Sequence, residues 1–140
     1  MGTNYYLYHK AQCLSCGRES EPDHIGKSSY GWCFALHVMP DEEIHDLDDW
    51  IRLWRQPGAY IKDEYGKVVS CDDMENIITR RSHGKDFDEP GSFAGYADEA
   101  EFHRENGSER GPNNLMRARL CRRVIKHGAG TWDCHIGEFS

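Results

Sequence analysis

Cys13 and Cys16 stand two residues apart with Gly17 directly behind them. Two thiolates at that spacing can grip one tetrahedral cation, and a small residue after the second lets backbone N–H groups turn toward sulfur. A structural zinc site needs two more ligands. His24 opens the next predicted strand eight residues on and is the first candidate. His37 is the favoured fourth ligand and Cys33 the alternative, since the two lie four residues apart on one strand and share a face. His127, Cys134 and His135 are more remote donors. Gly17 and Pro22 would break a helix after the turn, which argues against a thioredoxin-like redox pair. The expected cofactor is therefore a structural zinc, because a small domain poor in aliphatic residues gains from a staple.

The chain has 140 residues, enough for one domain, and 38% of them are hydrophobic. Four Trp, seven Tyr and five Phe supply the large core pieces. No apolar run approaches the roughly 18 residues of a membrane span, and the start shows no basic and apolar export pattern. A cytoplasmic location is expected. In that reducing setting the six cysteines read as thiols or metal ligands. A net charge of −7 argues against general affinity for nucleic acid or anionic membranes.

The pattern predicts a small single α+β domain with an antiparallel sheet and about four helices. Residues 1–39 form a zinc-knuckle β-hairpin region and 40–140 a helical and hairpin remainder. Strands are predicted over 3–9, 24–28, 32–38 and 131–136, and a hairpin over 60–69 turning at Gly66. Leu47, Trp50, Ile51 and Trp54 mark one face of a helix over 46–55. Ser70 and Asp73 form a capping pattern for a helix to about Arg81. A short helix is expected over 98–105. A last one is expected over 115–126, from Met116, Leu120, Cys121, Val124 and Ile125.

That last segment carries Arg117, Arg119, Arg122, Arg123 and Lys126 and no acid. On a helix, Arg119, Arg122, Arg123 and Lys126 would share a side and could capture an anion or an acidic partner, with pairing to the protein's own acids as the plain alternative. Lys27 and Ser28 are further candidates for an anion pocket, or else a polar hairpin end. A phosphate-binding loop is excluded because Glu21 stands where that motif needs glycine. The acids between Asp41 and Asp49 read as a solvated helix start. His9, His45, His83 and His103 lack a Ser or Cys at motif spacing and are expected to be surface or satisfied polar residues. No catalytic residues are assigned.

The runs Met1-Gly2-Thr3-Asn4-Tyr5-Tyr6, His24-Ile25-Gly26-Lys27-Ser28-Ser29 with Gly31-Trp32, Asp63-Glu64-Tyr65-Gly66, Gly130-Thr131-Trp132-Asp133 and Gly137-Glu138-Phe139-Ser140 span nearly the whole length. In them the chain resembles a family of small proteins encoded by bacteriophages and some bacteria. The resemblance implies that origin and a zinc knuckle, and it carries no mechanism. Accessory proteins of such origin often act on host defences by binding a host protein or sequestering a nucleotide. The leading expectation is thus a zinc-stabilised binding module for a host protein or an anionic small molecule. A metal-dependent phosphoester hydrolase and a nucleic-acid-binding zinc protein are the alternatives.

Overall fold

Alternation along the first strand sets the architecture. In β1 (Gly2–His9), Tyr5 and Leu7 turn to a buried face while Tyr6 and Tyr8 turn to the other. The computed structural model describes residues 2–9, 21–82, 84 and 86–139. The other strands and α-helices are β2 (Asp23–Ser29), β3 (Phe34–His37), α1 (Leu47–Trp54), β4 (Ala59–Asp63), β5 (Val68–Val69), α2 (Cys71–Thr79), α3 (Glu99–Asn106), β6 (Ser108–Arg110), β7 (Met116–Ala118), β8 (Val124–His127) and β9 (Trp132–His135). They form a small α+β domain.

Seven strands make one sheet in the order β5-β4-β1-β2-β3-β9-β8, and β6 pairs with β7 apart from it. The large sheet is antiparallel except where β3 runs parallel to β9. Both helices α1 and α2 cover the Leu7 face. Trp50 and Trp54 from α1 and Met74 and Ile78 from α2 meet Leu7, Ile25, Phe34, Leu36 and Ile61, all at most 1% exposed. Burying side chains of this size contributes roughly 1.5–3 kcal/mol each.

Local chemistry delimits the helices. Asp46, Ser70 and Asp98 accept hydrogen bonds from the backbone N–H groups of Asp49, Asp73 and Glu101 at the starts of α1, α2 and α3. Gly107 ends α3 in the left-handed conformation. A bulge between Tyr5 and Tyr6 inserts Ile25, so that Tyr5 faces Gly26 and Tyr6 faces His24.

The helix expected over 115–126 is absent. Its residues instead form β7, an irregular turn and β8, which leaves three α-helices among the described residues. Sheet pairing outweighs the 3.6-residue period here. Met116 bridges to Trp32, and Val124 pairs with His135. Leu120 and Ile125, counted toward the helical face, are 59% and 43% exposed. Four cations at three- and four-residue spacing, Arg119, Arg122, Arg123 and Lys126, would also repel one another on a helix. The zinc knuckle at Cys13 and Cys16 lies outside the described residues. No helix among the described residues is long and apolar enough to cross a membrane.

Candidate metal centre

At the end of the sheet where β2 begins, two of the sequence-predicted ligands meet. The Nδ1 atoms of His24 and His37 are 3.2 Å apart. His24 opens β2 opposite Tyr6, and His37 closes β3, where its carbonyl accepts the Trp50 indole N–H at 2.7 Å. The Trp50 bond joins α1 to the end of β3 and holds the His37 backbone in place.

Asn4 decides how His24 presents itself. The Asn4 backbone N–H donates to the Glu64 carboxylate at 2.8 Å, and its side-chain amide nitrogen is 3.4 Å from the same oxygen. The amide oxygen therefore faces His24, 2.8 Å from Nε2. Nε2 then carries the proton and donates it, which makes Nδ1 the acceptor of the His37 Nδ1–H at 3.2 Å, so a cation bound there would displace that one shared proton. Burial, then the neighbouring His37 and Lys27, lowers the His24 pKa to about 4, and burial lowers that of His37. Both rings are neutral near pH 7, the state a metal requires.

These facts fit zinc. Two imidazole nitrogens bound to one tetrahedral zinc at ~2.0–2.1 Å lie about 3.3–3.4 Å apart. Zinc-bound imidazoles also commonly donate the second ring N–H to an oxygen acceptor, as His24 does to Asn4. Phe139 packs edge-on against His24 at 4.8 Å and sits 5.2 Å from His37 and 5.4 Å from His135. A cavity of about 530 Å³ opens beside the pair, bordered by Pro22 and Asp23, where the chain re-enters the described residues. Among the described residues, no group of three or more His, Cys, Asp or Glu side chains is placed to hold a metal ion. The two imidazoles amount to half of a tetrahedral set.

The other candidates are scattered. Cys33 is buried four residues back along the chain from His37, roughly 13 Å away in extended chain. Burial, then Asp133, pushes its thiol up to about 12. Cys134 is buried with its thiol at about 11, and Cys33, Cys71, Cys121 and Cys134 are all free thiols. The His127 Nδ1–H donates to the Asp133 carboxylate at 2.7 Å, and its Nε2 lies 3.3 Å from Glu109. Ser28 accepts from Arg81 through its hydroxyl at 2.6 Å. Lys27 sits on the opposite face of β2, across from Asn4.

Without the last helix, the spacing that would align the basic residues is lost, and they have separate partners. Arg119 binds the Ser108 carbonyl, Arg123 binds the Glu138 carbonyl, Lys126 pairs with Asp46, and Arg122 is exposed. Asp46 and Asp49 serve the start of α1, the latter accepting from the His45 backbone and pairing with Arg52.

His135, a remote donor in the sequence reading, and His103, read there as a surface or satisfied polar residue, each gain a neighbour that the sequence did not indicate. His135 lies in register with His37 on β9, and burial lowers its pKa to about 4. His103 lies 2.9 Å from the Ser108 hydroxyl and 3.2 Å from Glu99, a Ser–His–carboxylate line. Ser108 is fully buried and Glu99 is tied to Arg110, so this line joins α3 to β6 and offers no hydroxyl to a substrate. No spacing motif announces either arrangement, since His135 comes beside His37 only through a pairing 98 residues apart in sequence.

Compared with known proteins, the chain matches no family model, no curated protein and no solved structure.

Proposed function

We propose that this chain is a zinc-stabilised binding module whose ligand is an anionic small molecule or a host protein. In this reading Cys13, Cys16, His24 and His37 hold one structural zinc at the end of the β1–β2–β3 sheet. The observation that carries it is the 3.2 Å approach of two neutral Nδ1 atoms, one of them with its tautomer set by Asn4. Loss of the one proton shared between these two nitrogens would leave two lone pairs converging on a single point, which suits a shared cation. The raised thiols of Cys33 and Cys134 and the buried Ser108 favour binding over nucleophilic chemistry.

The test is Cys13→Ser. Loss of stoichiometric zinc together with loss of the cooperative thermal transition supports the proposal, because a structural site contributes folding free energy outright. A variant that keeps zinc and melts like the parent refutes it.

A further inference from the structure

At the opposite end of the β1–β2 pair from His24, a cleft of about 500 Å³ opens between the sheet and the last turn of α2. Its walls carry Thr3, Tyr5, Ser28, Tyr30, Asn76 and Arg80, with Arg81 behind them, and no acidic residue lines it. On a chain of net charge −7, a cleft with two arginines and no carboxylate is a local reversal of sign.

The two arginines differ in what they do. Arg81 is half-buried and gives its N–H groups to the Ser28 hydroxyl and the carbonyls of Ser29 and Trp32 at 2.6–2.9 Å. Those acceptors are uncharged, so they orient the guanidinium without neutralising it. Arg80 is exposed, and among the described residues neither arginine forms an ion pair with a carboxylate. The Ser28 oxygen already accepts from Arg81, which leaves its O–H to donate into the cleft. Tyr5 is held protonated by burial and by Asp63, and is likewise a donor. The wall thus offers donors beside a positive charge, which is what a phosphate oxygen needs.

Tyr30 adds a second element. It is a large ring, 78% exposed at the rim, where a planar group can stack on it. On its far side Arg80 borders a second cleft of about 380 Å³ that holds Asp63, Asp73 and Lys67. Those carboxylates keep an anion on the Tyr30 side.

We infer that this cleft binds a phosphate monoester of mononucleotide size, with the phosphate on Arg80 and the Ser28 and Tyr5 hydroxyls and the planar ring on Tyr30. This gives the anionic-ligand part of the proposed function a site, and it stands whether or not zinc is bound.

Isothermal titration of the full chain with inorganic phosphate, with adenosine and uridine 5′-monophosphates and with a short single-stranded oligonucleotide tests it, zinc content being measured on the same samples. Mononucleotides are expected to bind more tightly than phosphate alone. Arg80→Gln should weaken both by about tenfold or more, the loss of a charge-assisted hydrogen bond. Tyr30→Ala should weaken the mononucleotides and leave phosphate unchanged. Both residues are exposed, so both variants should melt like the parent. Unchanged affinity in Arg80→Gln, no binding of any monophosphate at millimolar concentration, or a preference for the oligonucleotide over the mononucleotide would overturn the inference. Because zinc is read separately, its absence counts against the metal proposal only.

Discussion

The smallest decisive unit in this molecule is the Asn4 amide. Its nitrogen and backbone N–H both face Glu64, so its oxygen must face His24, and that orientation settles which imidazole nitrogen keeps a lone pair. Asn4→Leu should therefore lower zinc affinity by about 10–100-fold, the usual cost of losing a partner that orients a ligand. Competition with a chromogenic chelator measures this, and an unchanged affinity would show that Asn4 does not orient the site.

The imidazoles also set a pH dependence. His24 and His135 have pKa values lowered from 6.5 to about 4. Above pH 6.5 neither costs stability. As pH falls from 6.5 toward 4, the unfolded chain takes up protons that the native state refuses, so stability declines across that window. The urea midpoint should drop measurably between pH 7 and pH 5, above the range where most carboxylates titrate. Acid release of a bound zinc would act in the same direction. A midpoint that stays constant over that interval would contradict the burial of these rings.

At the scale of elements, the site rests on close strand contact. A Cβ at Gly26 would fall 2.2 Å from the Ala35 carbonyl oxygen and 2.5 Å from the Phe34 ring. The carbonyl belongs to the β2–β3 ladder and cannot withdraw cheaply. Gly26→Ala should cost about 2–3 kcal/mol in urea denaturation, in the range of other overpacked interiors. Ser70→Ala removes a start signal of α2 and should cost about 1 kcal/mol.

These local devices are also what made much of the fold legible. α1, α2 and α3 each lie within two residues of where their caps and apolar spacing put them, because a cap acts within one turn. The segment over 115–126 misled because its period is helical while its partners are remote. Met116 bridges to Trp32 and Val124 pairs with His135, and no window around either residue contains those partners. The same division applies to the site. His24 and His37 could be named from their places beside the cysteine turn. Asn4 and Glu64, 60 residues apart, could not be linked to them, and neither could Phe139. Arg81 marked only the approximate end of a helix in the sequence, and the sheet places Thr3, Ser28 and Tyr30 around it and Arg80.

For the molecule as a whole, the sheet gives the two features separate places. β1 and β2 run from the His24–His37 pair at one end to the arginine-lined cleft at the other. A staple at one end would hold both central strands in register and so support the cleft without touching a ligand there. A chain with so few aliphatic residues has limited means of holding that sheet by packing alone.

X-ray absorption at the zinc edge, on protein purified without chelator, addresses this account most directly. One zinc per chain with two sulfur neighbours at about 2.3 Å and two nitrogen neighbours at about 2.0–2.1 Å is the expected result. Protein that is folded yet metal-free, or zinc with a shell of oxygen and nitrogen only, would contradict it.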